Sequence, residues 1–359
     1  MTMLDESLTS WLEERAEALD ADAGLAGALV PRLALAGLFE IGVPASEGGT
    51  GAPPSAAIGA VADLARYSMS AAFVFWAQRA LIECVLASPN RVLAQRLLPS
   101  LLPGALAGAP GLSNAMKFLG GLDQLQTRFM PDAHGFTLNG RVPWSTNLQQ
   151  QGFVLALAAG NLEGTDTSVF AVPSDADGLT REPDFDLTGL RGTSTAALRL
   201  ADVRLGEDWQ LHPQAKAFLP GVRPMFVGMQ CGLGLGLARA SLRAAREALD
   251  DTRSVLLGEL EALEEQVQDF WEVLSTGVDS GRLRERPPEL LGLRMRMVEI
   301  ATDAVQLELQ ALSGRAYLRG ENGGFARRWR EAAFLPIVTP TLAQLKTERA
   351  RAQGAGAAR

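Results

Sequence analysis

The sequence predicts an α+β multidomain chain: an N-terminal α-helical domain (residues 1–105), a middle β-barrel-like domain (106–212) and a C-terminal helical bundle (213–359). Three observations carry that reading. Apolar residues recur at helical spacing at both ends, and the middle third reads as short strands. The chain has 359 residues and 47% hydrophobic content, more than one compact core usually holds.

In order, Ser10 to Glu14 and Leu25 to Leu38 alternate apolar and polar residues with helical spacing. Gly42 to Pro54 is a loop by its Gly and Pro content. Helical texture resumes through Ser55 to Leu86 and Asn90 to Leu102, then stops at Pro103-Gly104. In the middle third, Phe136 to Leu138 and Arg141-Val142 flank Asn139-Gly140, a two-residue hairpin signal because both turn positions need positive φ. Val154 to Leu157, Val169 to Val172 and Ala196 to Val203 read as strands. From Gln214 helical periodicity returns. Leu256, Leu260, Leu263, Val267, Phe270 and Leu274 lie opposite Glu259, Glu261, Glu264 and Glu265. Pro287-Pro288 breaks the pattern, further helices run from Glu289 to Leu312 and through Phe325 to Ala333, and the tail is expected to fray.

Composition excludes some classes. Net charge is −8 and the pI near 5.1, with no basic stripe, so nucleic acid is not an expected partner. Cys84 and Cys231 stand far apart and read as buried thiols; with His134 and His212 as the two histidines, no metal site is expected. The acidic N-terminus has no apolar signal core. Pro224 to Ala238 is uncharged but too short and Gly-rich for a membrane span. A cytoplasmic protein without a membrane segment is expected.

Two stretches could carry chemistry. Arg141 to Asn147 (R-V-P-W-S-T-N) ends a strand with an indole, two hydroxyls and an amide. Trp144 either anchors the β core or packs on a flat ligand whose heteroatoms bond Thr146. Gly228, Gly232 and Gly236 share one face of a helix. Each glycine costs roughly 1 kcal/mol of helix stability, so something approaches closely: a neighbouring helix, or a thin ligand.

Five segments, in order, resemble the acyl-CoA dehydrogenase superfamily of flavoproteins. They are Gly37 to Pro44, Gln95 to Gly104, Trp144 to Asn147, Gly189 to Thr195 with Asp202-Val203, and Gln310 to Tyr317 with Arg327 to Ala332. The resemblance covers about residues 30–345 and implies a four-helix C-terminal bundle, with FAD between it and the β domain. It implies that Trp144 packs on the flavin, Thr146 reaches its reactive edge, and Ser113 and Thr341 also contact the cofactor. Arg253, on its own a solvated surface charge, together with Gln310 and Gly314 would reach the FAD of a neighbouring subunit. Arg223 aligns near the acyl thioester. A homodimer or homotetramer, or a hetero-oligomer with a related subunit, is implied.

Departures from the family pattern are as informative. Its Thr-Glu-Pro-x-x-Gly-Ser-Asp reads Gly108 to Asn114 here, so a flavin-contacting hydroxyl is lost at Gly108, and a longer loop, Ala115 to Gln126, follows. A general base must titrate near working pH within reach of its proton. The two positions that carry the family's glutamate are Thr339 and Val222. No Asp or Glu lies between Asp208 and Glu247, or between Glu331 and Glu348; Asp123 and Glu321 are remote substitutes. Three functions follow as expectations. The first is an FAD-dependent desaturase of an acyl thioester, on CoA or a carrier protein, with an unidentified base. The second is a flavin-dependent monooxygenase on the same fold. The third is a non-catalytic partner of an active relative. The electron acceptor or flavin reductase is unspecified.

Overall fold

The computed structural model describes residues 4–318, 320 and 323–357. Helices come first: α1 (Glu6–Ala21), α2 (Ala26–Leu35), α3 (Pro54–Ala65), α4 (Met69–Ala87) and α5 (Arg91–Leu101). Each start has a local cause. The Asp5 carboxylate accepts from Leu8 N at 2.7 Å to cap α1, and Asn90 caps α5 through Leu93 N at 3.0 Å. The texture predicted as continuous from Ser55 to Leu86 splits in two because Ser68 turns out of the helix and caps α4 through Ala71 N at 3.3 Å.

The middle segment is one eight-stranded sheet. It runs β1 (Ala107–Pro110), a short helix α6 (Ser113–Leu119), β2 (Thr127–Asp132), β3 (Gly135–Ser145), β4 (Phe153–Gly160), β5 (Thr167–Pro173), β6 (Leu179–Arg181), β7 (Ala196–Leu205) and β8 (Gln210–His212). The strand order is β6-β7-β3-β2-β4-β5-β8, with β1 joined to β4 in parallel. The pairing path is open, so the barrel-like expectation becomes a sheet with two edges. All eight residues of β4 are buried, the uninterrupted apolar run of a strand covered on both faces.

Asn139-Gly140 corrects the predicted hairpin. β3 passes straight through it, and the β2–β3 turn falls instead at residues 133–134, between paired Asp132 and Gly135. The dipeptide makes a bulge against β7, where the register shifts between Leu138 and Gly140. Gly140 sits at φ +135°, and a Cβ there would strike the carbonyl oxygen of Gln126. The Asn139 amide exchanges two 2.9 Å hydrogen bonds with Asp202.

The C-terminal segment holds α7 (Ala215–Ala248), α8 (Leu257–Asp279), the single turn α9 (Arg282–Glu285), α10 (Pro287–Leu312), α11 (Phe325–Phe334) and α12 (Leu342–Ala357). α12 carries helix well into the tail that the sequence left frayed. Helices α4 and α7 are long and apolar enough to cross a membrane, but most of each apolar window is buried inside the fold. The glycine face of α7 meets α3. A Cβ on Gly228 would come within 2.9 Å of Ile58 Cδ1, one on Gly232 within 2.7 Å of the Ile58 carbonyl oxygen, and one on Gly236 would collide with the Ala62 carbonyl. Helix–helix approach, not a ligand, accounts for the stripe. Cys84 and Cys231 are buried free thiols, both pushed up to about 12 by burial.

Candidate functional site

The end of β3 is fixed by a glutamine at the centre of the fold. Gln78 of α4 is fully buried. Its Nε2 donates to the carbonyls of Leu101 and Leu106, both at 2.9 Å, and its Oε1 accepts from Gly108 N at 2.6 Å and Asn147 Nδ2 at 3.0 Å. Asn147, at φ +67°, also donates to the Gly108 carbonyl and accepts from Gln149 Nε2, each at 3.0 Å. Thus the N-terminal helices, β1 and the residues just after β3 share one polar node. Gly108 is a packing requirement: a Cβ there would lie 2.9 Å from the Leu81 side chain.

Trp144 and Thr146 point to different surroundings. The Trp144 indole is 52% exposed and lies on Phe185, ring centroids 4.1 Å apart at 38°. Thr146 is buried, its hydroxyl 3.0 Å from that of Thr195, which is 2.8 Å from that of Thr193. The Thr193 hydroxyl in turn donates to the Leu190 carbonyl at 2.7 Å. Between them, the Ser145 hydroxyl is buried without a partner among the described residues.

Neither base position presents an acid. Val222 is buried in α7. Thr339 precedes a cis proline, and its carbonyl accepts from Gln230 Nε2 at 2.8 Å. Gln230 Oε1 accepts from the buried Arg294 at 3.3 Å, and Arg294 also holds the Leu335 carbonyl at 2.7 Å. Thr341 caps α12, its hydroxyl accepting from Gln344 N at 3.2 Å.

The sequence argument that no carboxylate comes near is corrected here. Its window closed at Glu348, and α12 brings that residue back to α7. Arg223 Nη2 donates to Glu348 Oε2 at 2.8 Å, each side chain only 11% exposed. Glu348 Oε1 accepts from Gln344 Nε2 at 3.2 Å, and the same Nε2 donates to the Met116 carbonyl of α6 at 3.2 Å. The Glu348 carboxylate lies against Gly120, and Arg351 donates to the carbonyls of Gly120 and Gly121 at 3.4 and 3.2 Å. Beyond Val222, Phe226 joins Trp76, Phe73 and Phe334 in a chain of rings with centroids 4.9 Å apart, filling the space between α4, α7 and α11.

The remaining residues lie apart. Ser113, partly buried, starts α6, and Asn114 folds the following loop onto itself through Asp123, Gln124 and Gln126. That leaves Asp123 exposed, bonded to Asn114; Glu321 lies outside the described residues. Arg253 pairs with its neighbour Asp250. Gln310, at the end of α10, and Gly314, just after it, are exposed. The structure therefore gathers Arg223 with the α6 and α12 residues, and leaves Arg253, Gln310 and Gly314 on the surface.

FAD fits this arrangement at one end only. The half-exposed Trp144 indole offers a face that suits a flat ring. The diphosphate end does not fit: α6, which Ser113 starts, is docked on α12 through Gln344, Glu348 and Arg351. Sequence reasoning missed Gln78 and Glu348. Gln78 stands as an isolated amide inside an apolar helix, which is a signal; Glu348 gave none.

The acyl-CoA dehydrogenase N-terminal domain family matches residues 2–105. The probable acyl-CoA dehydrogenase YngJ of Bacillus subtilis is 31% identical over 164 residues, 43% of this chain and 42% of that protein, so the match spans less than half of this relative. The probable acyl-CoA dehydrogenase fadE25 of Mycobacterium leprae is 26% identical over 76% of this chain and 74% of its own length. Among solved structures, butyryl-CoA dehydrogenase from Megasphaera elsdenii superposes with a TM-score of 0.81 at 19% identity, over 97% of this chain and 94% of that one. A glutaryl-CoA dehydrogenase from Mycobacterium smegmatis in complex with FADH2 gives 0.76 at 18%, over 98% and 95%. Dibenzothiophene monooxygenase from Paenibacillus gives 0.74 at 16%, over 95% and 93%.

Proposed function

We propose, on the premise that this chain belongs to the acyl-CoA dehydrogenase superfamily, that it acts as the non-catalytic partner subunit of an FAD-bearing relative. The observation that carries this reading is the closed Arg223–Glu348 pair beside Val222. Desaturation of an acyl thioester needs a free carboxylate within reach of the α-proton and a cavity for the acyl group. Here the carboxylate at that place has one oxygen on a guanidinium and the other on an amide, and aromatic rings fill the adjoining space. Meanwhile Arg253, Gln310 and Gly314, the residues that would reach a neighbour's cofactor, lie in surface positions. The chain would supply them to the active subunit's FAD and take no part in proton removal.

A second reading is favoured by the half-exposed Trp144 indole at the end of β3. In it the chain binds its own FAD once α6 leaves α12. It then acts as an oxidoreductase on an acyl thioester, of CoA or a carrier protein, with Glu348 released beside the base position. One experiment separates the two. Affinity-tagged chain purified from its native host is expected to carry a second superfamily chain with flavin on that partner only. Chain that purifies alone and yellow, and is bleached anaerobically by an acyl-CoA, overturns the partner reading in favour of the second.

A further inference from the structure

We propose that Arg223, Gln344 and Glu348 form a phosphate-binding site that the chain holds shut with its own carboxylate. This goes beyond the partner-subunit reading and does not depend on it. An arginine presents Nε and Nη2 along one edge as a fork that matches two oxygens of an oxyanion. Glu348 fills half of that fork: Oε2 takes Nη2 at 2.8 Å, while Oε1 turns away to Gln344 Nε2. Arg223 Nε is left buried with no partner among the described residues. In the same network Gln344, 5% exposed, has its Oε1 buried and unpartnered as well.

An unmet donor and an unmet acceptor thus stand in one bonded cluster, each left short of the hydrogen bond that burial calls for. The ligand that satisfies both has an anionic oxygen for Nε and a hydroxyl proton for Gln344 Oε1. A carboxylate has the first and lacks the second. Inorganic phosphate, which keeps at least one proton near neutral pH, has both, and a phosphate monoester has both in the protonated share of its population. The surroundings suit an anion. Arg351 lies on the Gly120 and Gly121 carbonyls, and Lys216 Nζ stands 5.3 Å over the Phe118 ring of α6. A ligand phosphate would enter by taking the place of the Glu348 carboxylate on Arg223 Nη2.

The test removes the internal anion. Glu348→Gln keeps length and shape, and titration calorimetry with inorganic phosphate is expected to show binding about tenfold tighter than in the unmodified chain. Acetate is expected to gain nothing, and adding Arg223→Gln to Glu348→Gln is expected to abolish the gain. Adenosine monophosphate is run as a further arm. Tighter binding than inorganic phosphate assigns a nucleotide, and equal binding assigns free phosphate; either supports the site. No gain in Glu348→Gln, or a gain that survives Arg223→Gln, overturns it. Should the variant fail to fold, hydrogen exchange of the unmodified chain decides. Phosphate is expected to speed exchange at residues 116–121 and 342–348 beyond a chloride control of equal ionic strength, and unchanged exchange overturns the proposal.

Discussion

Gln78→Leu is expected to destabilise the chain by about 4 kcal/mol, read as a shift of the denaturation midpoint at constant slope. Leucine fits the volume, so the loss is one of hydrogen bonding rather than packing. Two of the four partners have a fallback: the Leu101 carbonyl also accepts from Gly104 N, and Asn147 Nδ2 also donates to the Gly108 carbonyl. The Gly108 N–H and the Leu106 carbonyl depend on Gln78. The Gly108 N–H becomes a buried orphan and the Leu106 carbonyl a part-buried one, at about 1–3 kcal/mol apiece. Asn147 loses one of the bonds that hold it at positive φ, so the end of β3 and Trp144 should loosen as well. A loss under about 1 kcal/mol would show that the node does not tie α4 to the sheet.

Gly236→Ala sets two effects of opposite sign against each other. Intrinsic propensity alone would stabilise a mid-helix position by about 1 kcal/mol. The new methyl, however, would meet the Ala62 carbonyl oxygen and lie within 2.6 Å of Ala65 Cβ, with backbone on α3 that cannot rotate away. Overpacking costs about 1–3 kcal/mol, and a collision with backbone sits at the upper end of that range. A net loss of about 2 kcal/mol is expected from these two terms. Gly292→Ala in α10 is the control: nothing lies within 4 Å of its added Cβ, so propensity acts alone and stability should rise. If Gly236→Ala is also stabilising, α3 and α7 are not in contact as described.

What could be read from the sequence was whatever local periodicity carries. The succession of helices, strands and helices follows from apolar spacing, and the α7 glycines announced a close approach before the approaching helix was known. Asn139-Gly140 misled because positive φ serves a bulge as well as a turn, and only the partner strand decides between them. The site was legible in its absences, since Val222 and Thr339 lack carboxylates whatever the fold. It was illegible where distant segments meet. Glu348 lies 125 positions from Arg223, and nothing in α12's composition says that its single carboxylate returns to α7. The closing of α6 onto α12 is equally non-local, resting on backbone carbonyls at Met116, Gly120 and Gly121 that no motif records.

The central claim is that this chain, alone, keeps its own crevice closed and leaves flavin chemistry to a partner. Incubating the purified chain with excess FAD, desalting it and recording the visible flavin absorbance against protein concentration tests that most directly. Colourless protein is the expected result. Flavin retained in stoichiometric amount by the chain on its own would contradict it.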